Sequence, residues 1–369
     1  MKIVIAPDSF KGTIGAFEVA KTVAEAFIGV ADLKEIPVSD GGEGTLQCFR
    51  AALGGKYIDM SVANPFLERT HAKFLLIDDT AVIECAECIG LNLVADRKNV
   101  KLSGSYGFGE LIKGALDLNV KRILLTLGGS ATNDGGAGML AALGARFTDV
   151  EGLPILPTGG TLEEIGGISL SDLDPRIKNT EFVALTDVTA PLLGENGATM
   201  VFAKQKGADD EDLPALEKGM AHYAALLSEA AAKDCCVPGS GAAGGIGAAA
   251  FAALNAKIAS GAASVLELSG FYREISDADL IITGEGRLDR QSFMGKVVGT
   301  VAAAARESNI PVYVLAGDVA EDMTPDFLTE QGITMAVKCS VSSDPVTISQ
   351  RARADLYRAA LDLKELLFP

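Results

Sequence analysis

Histidine is nearly absent. The 369-residue chain has two, His71 and His222, and neither adjoins a glycine turn. That leaves little for a hydrolase with a histidine base or for an imidazole-ligated metal centre. Basic charge is also scarce: 32 Lys and Arg stand against 49 Asp and Glu, a formal net charge of −17. A phosphate backbone needs a basic face, so this balance argues against nucleic acid as a partner. No stretch reads as a membrane span; the most apolar-looking region, 239–266, is mostly Ala and Gly and reads as close-packed helix. The opening MKIVIAPDSFKG is too short an apolar run for a signal peptide. Six cysteines without a regular framework point to a reducing compartment, and the expected location is the cytoplasm. Cys85 and Cys88 form a CxxC with no second pair or nearby His, and read as packing residues.

Known phosphate signatures are missing too. No GxxxxGK[ST] occurs, so this is not a P-loop protein. The first strand runs into PDSFKG rather than GxGxxG, which counts against a nicotinamide-dependent dehydrogenase. GEGRLD at 284–289 begins like that fingerprint but has Asp289 where the third glycine belongs.

Glycine, by contrast, is plentiful: 41 residues, often paired beside acids. The fullest case is 123–144, ILLTLGGSATNDGGAGMLAALG. An apolar strand at 123–127 and a helix at 137–143 flank Gly128, Gly129, Gly135 and Gly136 with Ser130, Thr132, Asn133 and Asp134. Strand, glycine turn, polar cluster and helix put backbone N–H groups where an anion can dock. The same order also makes a tight turn capped by Asn133 or Asp134.

Apolar strands at 2–6 and 33–38 alternate with helices at 16–27 and 46–53, a βαβα start that implies a parallel sheet. At 56–62, 72–78 and 80–86 three strands follow with no helix between, an antiparallel meander. Strands at 123–127 and 182–186, a long amphipathic helix at 211–232 and a glycine loop at 238–247 come next. Strands at 279–283, 311–316 and 333–338, with a helix opening at Lys296, restore the initial rhythm. The expected fold is α/β in two domains. A Rossmann-like parallel-sheet domain is built from both termini (1–60 plus 270–369), with a mixed α/β domain (61–269) inserted.

The strand-end turns carry Asp8 with Lys11, Asp40 with Glu43, Asp134, Asp187, and Glu285 with Asp289. One such acid is an ordinary turn former. Five or six turns that join glycine to acid suit a Mg²⁺-nucleotide, with acids on the metal and amides on phosphate.

These residues carry a resemblance. PDSFKG (7–12), SDGGEGT (39–45), GGSATNDGGAGM (128–139), DV (187–188), GENGA (194–198), QKGA (205–208), GAAGGIGAA (241–249) and TGEGRLD (283–289) are similar to blocks of the bacterial glycerate kinase family that acts at the 2-hydroxyl. They stand in family order across essentially the whole chain. Departures from the family pattern are Ser39, Ala190, Lys204 and Arg290. The resemblance implies ATP-dependent phosphorylation of D-glycerate to 2-phosphoglycerate, and a two-domain α/β architecture with the active site in the cleft between the domains.

Phosphoryl-transfer chemistry then suggests roles. A hydroxyl attacking in line needs a carboxylate to take its proton, and the γ-phosphoryl charge needs Mg²⁺ and cations. Asp187 is the expected base, with Asp289 as runner-up, and Lys11 the expected catalytic cation. Glycerate is expected at Asp8, Ser9, Ser130, Asn133 and Asp134, its carboxylate on Arg287 or Lys206. ATP is expected at Asp40, Gly41, Gly42, Glu43, Gly284 and Gly286, and Mg²⁺ at Glu285 with Asp289 or Asp40. The expected partners are these small molecules, with neither nucleic acid nor membrane; monomer and homo-oligomer both stay open. The rivals, a hydroxy-acid dehydrogenase and a non-catalytic binder of small anions, would release no ADP from glycerate and ATP.

Overall fold

The structure is a computed structural model; it describes residues 1–369 except Lys11, Ala95 and Ser343 and the side chain of Pro345. The chain divides into two compact units. A terminal unit comprises Met1–Asp40, Gln47–Gly54 and Ser260–Pro369; an inserted unit comprises Gly41–Leu46 and Gly55–Ala259.

In the terminal unit five strands form one parallel sheet in the spatial order Met335–Lys338, Val312–Val319, Leu280–Leu288, Lys2–Ile5, Asp32–Glu35. Counted along this unit, that order is 5-4-3-1-2, a doubly wound arrangement of the flavodoxin type. A parallel sheet must be covered on both faces, and the side chains alternate accordingly. Ile3, Ile5, Leu280 and Ile282 join a core with Phe27, Leu356 and Leu363. That core is supplied by the helices Ala16–Phe27 and Pro345–Leu367. The intervening Val4 and Ile281 are equally buried. The helix Val297–Glu307 packs against the strands Leu280–Leu288 and Val312–Val319.

One strand departs from expectation. The TGEGRL segment was expected to leave the sheet after Thr283. Instead Gly284 stays paired with Leu315, Glu285 with Ala316 and Arg287 with Asp318. The neighbouring strand is itself eight residues long, and its ladder carries the pairing onward. Gly284 and Gly286 are therefore strand residues, not a turn that wraps a phosphate.

The inserted unit has a six-stranded sheet in the order Lys257–Ala259, Glu181–Leu185, Arg122–Thr126, Thr80–Glu84, Arg69–Ile77, Lys56–Ala63. The last three form the expected antiparallel meander. Thr80–Glu84 also pairs in parallel with Arg122–Thr126, which fuses the meander to the three remaining strands, all parallel to it. Each parallel step moves the same way across the sheet, so right-handed crossovers stack their helices on one face. Phe108, Leu111, Leu140 and Ile246 cover that face and pack on Ile83, Ile123, Leu125 and Ala184. No helix of the described residues is long and apolar enough to cross a membrane.

The glycine loop at 238–247 opens the helix Ala242–Ala253 through three left-handed residues, Ala243, Gly244 and Gly245. A Cβ on Gly244 would lie 2.0 Å from the Thr132 carbonyl oxygen, at φ +68°. This contact locks the loop against the 128–136 turn, where the Gly135 N–H donates to the Gly244 carbonyl at 3.0 Å. Gly244→Ala should meet both the steric overlap and the left-handed penalty, and lose about 2–4 kcal/mol. Urea denaturation checks this.

Candidate active site

Because the strands of a parallel sheet run one way, the loops that leave them gather at one edge. In the terminal unit, register aligns Glu285 with Ala316 and Ala316 with Lys338. Between the Lys2–Ile5 and Leu280–Leu288 strands the direction of winding reverses. There the Asp8 N–H donates to the Gly284 carbonyl at 2.8 Å. Around this edge lies a cavity of about 460 Å³. Asp8, Ser9, Glu285, Gly286, Arg287 and Asp289 all line it, six of the residues expected from sequence. Lys296, Asp318, Lys338 and Asp355 join them.

Its charges are largely interlocked. Lys338 donates to Asp318 at 2.6 Å. Arg287, with an exposed guanidinium, lies 3.9 Å from Asp289 and 4.0 Å from Asp318. Lys338 beside Asp318 holds that carboxyl below the usual carboxylate range. Asp289 accepts from the Gln291 N–H at 2.9 Å, closing a capping box with Ser292. Asp8 is 4% exposed and accepts from the Ser9 N–H at 2.6 Å.

In the inserted unit Glu84, Thr126, Leu185 and Ala259 stand level across four parallel strands. The segments that leave this row carry Cys85, the Gly128–Gly136 turn, Asp187 and Ser260. Gly128 is needed by the chain itself: a Cβ there would sit 2.4 Å from the Gly42 Cα. The Asp187 loop is held by the glycine loop, since Gly239 and Gly241 donate their N–H groups to Thr189 and Ala190 at 3.2 and 3.0 Å.

Three charged groups lie buried here. Asp134 is fully buried, and both its oxygens are committed. It accepts from the Ser105 N–H and Oγ at 2.7 Å each, and from the Gly136 and Gly138 N–H groups at 3.1 Å. Burial is the largest influence on it and raises its pKa. The expectation of a direct substrate contact gives way: four donors inside the fold make Asp134 the anchor of its turn. Glu84, 3% exposed, accepts the Gly44 and Leu46 N–H groups at 3.0 and 3.1 Å, and so caps the helix Thr45–Leu53. Burial pushes its pKa up to about 7. Lys206 donates to the Thr132 carbonyl at 2.7 Å and to Ser130 Oγ at 3.2 Å, and burial pulls it down to about 8. Beside it the Asn133 amide donates to Thr199 at 3.1 Å.

Of the remaining expected residues, Asp187 and Asp40 are half-buried and Glu43 is exposed. Gly41 and Gly42 lie in the loop whose Gly44 N–H Glu84 holds. Lys11 lies outside the described residues. Among the described residues no group of three or more His, Cys, Asp or Glu is placed to hold a metal ion. Cys85 and Cys88 are free and fully buried. Glu84 escaped the sequence reading because no glycine adjoins it; the acid that ends the apolar run AVIE was its one signal. Lys296 and Lys338 were noted only as element ends.

Sheet and site together define an α/β protein that presents carboxylates, cations and glycine turns at its strand ends to a small ligand. The family model described as "Glycerate kinase family" matches residues 3–367. A "Glycerate kinase" of Bacillus cereus is 42% identical over 357 residues, 95% of this chain and 93% of that protein. A "Glycerate 2-kinase" of Escherichia coli is 42% identical over 330 residues, 88% and 87% of the two chains. A crystal structure from Salmonella typhimurium LT2, assigned as a glycerate kinase 2, superposes with TM-score 0.81 at 38% identity, over 99% of this chain and 98% of that one. The chain belongs to the glycerate kinase family.

Glu84 supplies a pH signature. Its folded-state pKa of about 7 stands above the ordinary 4.5, so the folded protein holds this proton more tightly than the unfolded chain. That contribution to stability is complete below the ordinary value and disappears as pH rises through about 7. Glu84→Gln has no such proton to lose. Thermal melts at pH 5 and pH 8 should show the melting temperature of the variant gaining on the wild type as pH rises.

Proposed function

We propose that the protein transfers the γ-phosphoryl group of ATP to the 2-hydroxyl of D-glycerate. Membership of the glycerate kinase family supports the kinase class. The observation that carries the reading is the cavity at the reversal of the terminal sheet, where Asp8, Ser9, Glu285, Arg287 and Asp289 meet Lys296 and Lys338. Carboxylates interleaved with cations are what a hydroxy acid and a metal-bound polyphosphate require.

In the reaction the glycerate hydroxyl oxygen bonds to the γ-phosphorus as the bond from that phosphorus to the bridging oxygen breaks, with ADP as leaving group. The hydroxyl proton goes to Asp187, which leaves a buried strand beside a loop pinned by Gly239 and Gly241. Asp289 is the alternative base. In the inserted unit Ser130 and Asn133 offer glycerate hydrogen bonds and Lys206 a cation for its carboxylate; in the terminal unit Ser9 and Arg287 offer the same chemistry. At neutral pH Lys206, with a pKa of about 8, stays mainly cationic. Lys11 and the Asp40–Glu43 loop belong to the phosphate side.

The donors Glu285, Asp289 and Asp40 are all hard oxygens. They fit a Mg²⁺ that keeps substrate phosphate among its ligands rather than one caged wholly by protein. When bound, the ion supplies charge neutralisation on the phosphoryl oxygens. The protein is expected to work in the cytoplasm.

Two measurements test this. A proton-coupled phosphorus NMR spectrum of the product should show the phosphate as a doublet, from the single hydrogen on carbon 2; a triplet means transfer to the 3-hydroxyl. Asp187→Asn keeps the shape and removes the base. Its kcat should fall by about 10²- to 10⁴-fold, with ATP binding retained. Near-wild-type turnover would move the role to Asp289.

A further inference from the structure

We propose that the segment 84–91 is a positioning clamp for the reaction: the Glu84 carboxylate holds the Gly41–Leu46 loop, and the Cys85 thiol with the backbone at 89–91 holds the 128–136 turn. This rests on the kinase reading, which draws on both loops, and adds residues to which that reading gives no part. All of them lie within the inserted unit.

The segment leaves the sheet at Glu84, which stands level with Thr126 on the next strand. The Gly44 and Leu46 N–H groups donate to separate oxygens of Glu84, at 3.0 and 3.1 Å. From the next residue, the Cys85 thiol donates to the Gly128 carbonyl at 3.1 Å. Two backbone bonds continue the attachment. The Leu91 N–H donates to the Gly129 carbonyl at 2.9 Å, and the Ala131 N–H donates to the Ile89 carbonyl at 2.8 Å. The turn is thus fixed on both sides of Ser130.

The two loops held in this way also touch. A Cβ on Gly128 would lie 2.4 Å from the Gly42 Cα and 3.1 Å from the Gly41 carbonyl oxygen. A shift of either loop therefore changes the spacing of the groups they carry, and a misplacement of about 1 Å can cost on the order of 10²-fold in rate. The CxxC at 85–88 takes on two separate parts. Cys85 holds the turn, whereas the Cys88 thiol turns back to the Cys85 carbonyl at 3.6 Å and packs in the core.

Ionisation of Glu84 tightens the hold. Burial raises its pKa, helped by the charges of Glu87 on the segment and Glu43 on the loop, while the Leu46 and Gly44 N–H groups pull the other way. Donors that favour the carboxylate are, reciprocally, held more firmly by it. A protonated Glu84 turns one of its two acceptors into an O–H donor. Thr126, level with it, is uncharged, and Cys85, pushed up to about 12 by burial, keeps its proton throughout. The clamp is therefore firmer above pH 7 than below it, whereas the stability that this group contributes runs the opposite way.

Steady-state kinetics and hydrogen exchange on the full chain test this, at a temperature where each variant is folded. Glu84→Ala should raise KM for ATP about tenfold and Cys85→Ala should raise KM for D-glycerate about threefold, matching the loss of two buried hydrogen bonds and of one. Cys85→Ser restores a donor and should bring that KM to within about twofold of the wild type. Cys88→Ala removes a buried thiol outside the clamp, and should lose stability with both KM values unchanged. As pH falls from 8 to 6, KM for ATP should rise more steeply in the wild type than in Glu84→Gln, while the wild-type melting temperature gains on that of the variant. Deuterium uptake should increase at 41–46 in Glu84→Ala and at 128–131 in Cys85→Ala. Should Glu84→Ala fail to fold, Glu84→Gln, which keeps one acceptor, decides through the pH comparison. KM values that move no more than those of Cys88→Ala, or unchanged uptake at the two loops, overturn the clamp and leave the kinase reading standing. A wild type that releases no ADP from glycerate and ATP overturns the kinase reading, and the clamp with it.

Discussion

Parallel pairing is the constraint on which the site depends. Strands that share a direction end at a common edge, and every loop leaving them begins there. In the terminal unit this gathers residues 277 positions apart in the chain: Asp8 follows the first strand, and Glu285 lies on the strand beside it. No contact between these acids is needed to bring them near each other. The ladder from Lys2–Ile5 through Leu280–Leu288 to Val312–Val319 does it, and the apolar side chains that alternate along those strands hold the ladder in register.

The inserted unit adds the harder matter of buried charge. An ionised group removed from water is costly unless hydrogen bonds replace its solvent. Asp134 satisfies that condition with four donors, and the result is a rigid turn at 128–136. Glu84 has two backbone donors, few enough for burial to raise its pKa well into the neutral range. Lys206 donates only to neutral oxygens, and burial moves its pKa down against the opposing pull of Asp134. The three groups thus grade from anchor to cap to a cation suited to an anionic partner.

Much of this could be read from the residues in order. Strands such as KIVI, ILLT and FVAL are short apolar runs bounded by glycine or acid, and they form because burial on both faces rewards that composition. The meander at 56–84 was legible from three strands without an intervening helix. Its fusion to the parallel strands was not, because pairing partners are chosen across the sheet and leave no local mark. The TGEGRL segment failed for the same reason: glycines that read as a turn are kept extended by an eight-residue neighbour.

By itself the sequence determined which residues are available to the chemistry. Acids and glycines cluster at strand ends, histidine is nearly absent, and the motif blocks stand in family order. Tertiary structure alone decided what those residues do. Asp134 and Asp8 look alike in sequence, each an acid in a turn near a strand, yet one is enclosed by four donors and the other lines a cavity. Glu84, Lys296 and Lys338 carry no motif, and gained their positions only when the strands and helices packed. The physical reason is that hydrogen bonding, burial and pKa are properties of a residue's surroundings, and those surroundings come from chain segments far away in the sequence.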